Sequence, residues 1–130
     1  MPRTLTAQEY LEVARRHLVD HVQPAWHEPT DWDDLALYGF YCLEAAVMAA
    51  ATHVGWATRG QHPDKARAAL RLQQERGLPN IQDLLDDLNA GRKAVAYGDV
   101  DMPSLDAETA AMRVEGFLDA VARLINGDAS

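Results

Sequence analysis

From Leu35 to Thr58 the chain carries one charged side chain, Glu44. A helix that is apolar nearly all the way round must be packed on most of its sides, so this stretch predicts the central helix of a bundle. Its small residues, Ala45, Ala46, Ala49 and Ala50, let neighbouring backbones approach closely, and the same helix is a candidate subunit interface. A membrane span is the competing reading. However, Ala, Gly, Tyr and Thr supply much of the run, Leu, Ile and Val are few, and Glu44 and His53 interrupt it. Charge near the centre of a span costs about 2.5–3.5 kcal/mol on insertion scales, so a soluble bundle without a membrane partner is expected.

The other periodic segments supply the neighbours. Thr6 with Glu9 reads as a capping box, and Leu11, Ala14, Leu18 and Val22 form a stripe behind it that Pro24 ends. Thr30 with Asp33 repeats the start signal before the central helix. Pro63 just inside a start and Gly77 just past an end frame a third helix, from Pro63 to Arg76. Pro79-Asn80, with Asp83 following, opens a fourth, striped by Ile81, Leu84, Leu85 and Leu88 and running toward Tyr97-Gly98. A turn-rich link precedes a fifth helix capped by Asp106, and Asn126-Gly127 stops it. No segment alternates like a half-buried strand, and there is no internal repeat. Residues 1–130 are therefore expected to form one all-α domain, an up-and-down four- or five-helix bundle with antiparallel neighbours.

Twenty acids against twelve bases leave a formal charge of −8, which argues against broad, charge-driven coating of DNA. The single cysteine, Cys42, excludes an internal disulfide and a Cys-rich zinc site, and in an apolar run it behaves as a small hydrophobe. The first residues have no apolar h-region, so a cytoplasmic location is expected. Between Arg59 and Arg76 the balance reverses locally, with Lys65, Arg67, Arg71 and both flanking arginines against Asp64 and Glu75. Arg67 and Arg71 share a face and are candidates for steering a phosphate-bearing ligand, although a solvated helix face is the plainer reading.

Arg92 is the residue most at odds with its surroundings. Around the helix axis it lies about 20° from Leu85 and about 40° from Leu88, so its guanidinium points along the apolar stripe if the helix continues through Gly91. A charge placed there needs a carboxylate, a phosphate or a second subunit. The alternatives are that Gly91 ends or kinks the helix and turns Arg92 to solvent, or that Arg92 pairs with Glu44. His17 and His21, spaced i, i+4, are able to share a metal, but the Glu of a helical zinc protease and the paired Glu-x-x-His helices of di-iron bundles are missing. No metal and no cofactor are expected. There is no Gly-rich phosphate loop, no serine in a nucleophile elbow, and Asp83, Asp86 and Asp87 read as solubilising acids.

The segment from Leu84 to Asp99, with Asn89-Ala90-Gly91-Arg92-Lys93 at its centre and Tyr97 near its end, resembles the signature helix of the HEPN superfamily. The alanine-rich helix from Tyr38 to Ala51, the start at His62-Pro63-Asp64-Lys65 and the final amphipathic helix follow the same pattern, so the resemblance spans Asp31 to Ile125. It implies a helical bundle, usually dimeric, that binds RNA or nucleotides; many members are metal-independent RNases of toxin–antitoxin and other defence systems. In the family motif an Arg stabilises charge on the scissile phosphate, a polar residue follows, and a His four to six residues later moves protons. Arg92 matches the Arg and Lys93 the polar position, whereas Tyr97 stands where an active enzyme holds His. A phenol with a pKa near 10 is about a thousandfold less ionised at pH 7 than a base titrating there. The resemblance thus implies a homodimer that binds RNA or a nucleotide through Arg92, Lys93, Asn89 and Tyr97, with little or no catalysis. The alternatives are a metal-independent RNase, with Tyr97 or a remote His as base and an antitoxin-like partner protein, or a non-catalytic interaction scaffold.

Overall fold

The computed structural model describes residues 5–56, 62–97 and 106–128, with backbone alone at 62–64, 95, 97 and 128. These residues form five helices and no strand: α1 (Ala7–His17), α2 (Trp32–His53), α3 (His62–Arg76), α4 (Gln82–Tyr97) and α5 (Ala107–Asp128). The all-α bundle expected from periodicity is present.

Local chemistry sets most of the boundaries. At the start of α1 the Glu9 amide donates to Thr6 Oγ1 (3.1 Å) and the Thr6 amide donates to Glu9 Oε1 (3.0 Å), which completes the capping box. Pro24 does not end this helix as expected. A π turn, Leu18–Val22, follows α1, with the Gln23 amide donating to Leu18 O, and one α turn, Gln23–Ala25, carries the chain past the proline. The wider turn relieves the ring's clash with the preceding carbonyls and keeps Leu18, Val22 and Ala25 buried.

The cap of α2 is Asp31, which accepts from the Asp34 amide (3.1 Å), one residue later than Thr30. The Thr30 hydroxyl instead donates to Trp26 O. This helix stops before Thr58 because Gly55 adopts φ +83°. The Gly55 and Trp56 amides close back onto Thr52 O and Ala51 O, a Schellman arrangement. Asp106 accepts from both the amide and the hydroxyl of Thr109 at the start of α5, as expected. At the other end α5 runs on through Asn126 and Gly127. Gly127 keeps an ordinary helical φ, since glycine permits a left-handed cap without imposing one.

The bundle is organised around α2, which packs against each of the other four helices. Twelve of its residues are buried, among them Leu35, Phe40, Leu43 and Val47, with Ala45, Ala46, Ala49 and Ala50 closing the gaps. Among the described residues α2 is the one helix long and apolar enough to span a membrane, and most of its apolar window is covered by the bundle. No buried side chain in the described core is charged or polar. Cys42 behaves as a hydrophobe: its thiol donates to Ala14 O (3.2 Å), and burial pushes its pKa up to about 12.

Cross-contacts fix the directions. His21 meets Asp34, Cys42 meets Ala14 and Tyr10 sits near Met48, so α1 and α2 are antiparallel. Gln8 reaches Asn126 and Gln23 reaches Glu115, so α5 is antiparallel to α1. The expected antiparallel return fails at α3. Lys65, in its first turn, pairs with Glu44 in the middle of α2, and Arg71 lies over Trp56 past the end of α2. α3 therefore runs in the same direction as α2. Asp83 does more than solubilise, because Arg113 of α5 grips it with two bonds of 2.9 Å and also donates to Asn80 O (3.1 Å).

Gly39 lets α4 and α5 come close to α2: a β-carbon there would lie 3.3 Å from Leu88 Cδ1 and 3.9 Å from Val114 Cγ2. Gly39→Leu is expected to destabilise the fold by about 1–3 kcal/mol through overpacking. Gly116→Ala, in mid-helix with nothing within 4 Å of the added carbon, is expected to stabilise it by about 0.5–1 kcal/mol. Urea unfolding of the two variants checks both signs.

Candidate functional site

Helix α4 continues unbroken through Gly91, which is itself buried, so Arg92 follows Leu85 and Leu88 inward. No kink turns it to solvent. The side chain is half-buried, with Cζ 5.1 Å from the centroid of the Phe40 ring, inside cation–π range. Its Nη2 donates to Asn89 Oδ1 at 2.7 Å, one turn back on the same helix. Its Nε is buried without a hydrogen-bond partner. Among the described residues no acid meets this guanidinium.

The alternative pairing of Arg92 with Glu44 is not formed. Glu44 lies one turn beyond Phe40 on α2, where α3 enters, and Lys65 takes it at 3.6 Å. Only 12% of the Glu44 side chain and 18% of the Lys65 side chain are exposed, so this pair is far better shielded than a surface ion pair.

Of the other expected site residues, Asn89 is brought to Arg92 and fixes its orientation. Lys93 is exposed beside it. Tyr97 is the last residue of α4, and its side chain lies outside the described residues. Arg67 and Arg71 are exposed on α3. Arg71 is already engaged, with Nε donating to Glu75 Oε2 at 2.6 Å and Cζ 3.9 Å from the centre of the Trp56 ring. The positive strip of α3 is thus partly spent on Glu75 and on Glu44.

Sequence reasoning missed a cleft of about 310 Å³ between α1, α2 and α3. Tyr10 and His17 line it from α1, Tyr41, Glu44 and Met48 from α2, and Lys65 from α3. Each set sits at helical spacing on one face of its own helix, a signal present in the sequence. What the sequence lacked was which faces meet. Beside the cleft, His17 and His21 contact tyrosines. His21 stacks on Tyr38 (3.6 Å between centroids, 8° between planes), with Asp34 at 3.7 Å. His17 is tilted against Tyr38 and Tyr41 at 5.5 and 6.0 Å. Among the described residues no group of three or more His, Cys, Asp or Glu is arranged to hold a metal.

Burial holds the His17 pKa below its ordinary 6.5, His21 lowers it further and Asp20 opposes the shift. The imidazole is therefore mainly neutral at pH 7, with one donor and one acceptor nitrogen.

No family model, no curated protein and no solved structure matches the chain.

Because the fold favours neutral His17, its contribution to stability is complete above pH 6.5 and is lost as the pH falls through 6.5 toward the lower folded value. An NMR titration of its ring protons is expected to show a midpoint below 6.5. The midpoint should rise in His21→Gln and fall further in Asp20→Asn.

Proposed function

We propose that this chain is a HEPN-like helical bundle that binds RNA or a nucleotide, with the phosphate held at Arg92. One observation carries the reading: a half-buried guanidinium, aimed by Asn89 and seated on the face of Phe40, with no acidic partner among the described residues. In a chain with eight more acids than bases, a shielded cation that meets no carboxylate among the described residues has the electrostatics of an anion site. A planar guanidinium offers forked donors that match phosphate oxygens, and a fixed one loses little entropy on binding. Lys93, exposed on the next position, adds charge at the mouth of the site.

Binding is favoured over cleavage because the position five residues after Arg92 holds Tyr97, a weak base at neutral pH. The same proposal includes a homodimer. In it, α4 brings two copies of Arg92 onto one groove.

Single-stranded RNA binding by the full chain, followed by fluorescence anisotropy over a range of salt, tests this. Arg92→Ala is expected to weaken binding about tenfold or more and to lower the salt slope by about 0.7 for the lost phosphate contact, with Arg92→Lys intermediate. Equal binding by wild type and Arg92→Ala would overturn the reading. Cleavage of RNA in chelator, abolished by Arg92→Ala, would replace it with the metal-independent RNase. A dimer that neither binds nor cleaves would leave the interaction scaffold.

A further inference from the structure

We propose that the cleft between α1, α2 and α3 binds a small, neutral aromatic molecule whose carbonyl oxygen accepts a hydrogen bond from Lys65. This site is separate from the phosphate reading at Arg92 and does not depend on it.

Helical spacing makes the hollow. Tyr41, Ala45 and Met48 stand at i, i+4 and i+7 on α2, and all three line the cleft. Ala45 contributes only a methyl group between two long side chains, so the surface dips there. From α1, Tyr10 and His17, seven residues apart and so on one face, form the opposite wall. The enclosed volume, about 310 Å³, lies at the lower end of small-molecule sites and accommodates a bicyclic ring system. The walls suit such a ring. They present three aromatic side chains and a thioether, whose sulfur packs favourably at ring edges. Tyr41 is 38% exposed, one of the few large apolar side chains left uncovered, and a ring in the cleft buries it further.

The polar groups then select the ligand's charge. Glu44 is committed, held by Lys65 at 3.6 Å and by a further contact. Lys65 is not: an ammonium has three N–H donors, and among the described residues its Nζ meets Glu44 alone. With 18% of the side chain exposed, the remaining donors have little bulk water to turn to, and a cleft-bound acceptor satisfies one of them. That acceptor must be neutral. A carboxylate drawn to Lys65 is repelled by Glu44, and an ammonium drawn to Glu44 is repelled by Lys65. Either ion loses its hydration for almost no net Coulombic gain. A carbonyl oxygen takes the hydrogen bond without that cost, and neutral His17 leaves the balance of the cleft unchanged.

Four probes of one shape separate these contributions: indanone, indane, aminoindane and indane carboxylate, titrated into the full chain and followed by NMR. Indanone is expected to bind about tenfold tighter than indane, the worth of one hydrogen bond to a charged donor. Both ions are expected to bind more weakly than indanone. The double variant Glu44→Gln/Lys65→Met, which strands neither charge, is expected to bind indanone and indane equally. Ala45→Leu, which fills the hollow, is expected to lose all four, and Arg92→Ala to lose none. In the unaltered protein, indanone is expected to shift the signals of His17, Tyr41 and the Met48 methyl, a readout that stands even if a variant misfolds. Equal binding of indane and indanone by the unaltered protein, tightest binding of either ion, no binding at all, or shifts confined to residues outside the cleft would overturn the proposal. RNA binding lost in Arg92→Ala would still support the phosphate site in each of those cases.

Discussion

The covering of α2 is the constraint on which the rest depends. A helix with one charge between Leu35 and its end at His53, Glu44, has no polar face to offer water, so each of the other helices must supply an apolar stripe to it. The four alanines and Gly39 let those helices come close, and at Gly39 an added carbon would crowd Leu88. The wholly apolar described core follows from this arrangement. Polar and charged groups are displaced to the seams between helices, which is where both candidate sites lie.

At those seams the two positive groups that lean inward are stabilised differently. Lys65 is neutralised by Glu44, a pairing whose Coulombic gain offsets the loss of water on both sides. Arg92 has an amide oxygen and an aromatic face, both weaker partners than a carboxylate. Its guanidinium disperses charge over a plane and is less strongly hydrated than an ammonium, which is why the arginine, rather than a lysine, tolerates the position. Among the described residues, one of the two is held in an ion pair and the other meets no carboxylate.

The imidazoles take a third course. His17 and His21 have the spacing of a metal pair, but the antiparallel packing of α1 on α2 sets tyrosines against them, and ring contacts occupy the faces. Burial then holds His17 neutral. A group that reads as a ligand in one dimension becomes part of an aromatic wall in three, and the cleft derives its planar surfaces from it.

Much of this was legible in the chain itself. The capping boxes and glycine ends are short-range hydrogen-bond and φ requirements, so Thr6, Gly77 and Asp106 mark boundaries wherever the helices go. The inward aim of Arg92 follows from helical geometry alone once Leu85 and Leu88 are placed in the core. Pro24 and Gly127 were misleading because a proline or glycine biases a turn without dictating it, and a π turn or an ordinary helical φ absorbed each. The sequence by itself determined five helices, their buried faces and an arginine directed toward the core. Only the tertiary structure decided that Lys65 and not Arg92 meets Glu44, and that α1, α2 and α3 enclose a cleft. Those outcomes depend on which helix faces which and at what height, and that is set by the sum of many side-chain contacts across α2 rather than by any local spacing.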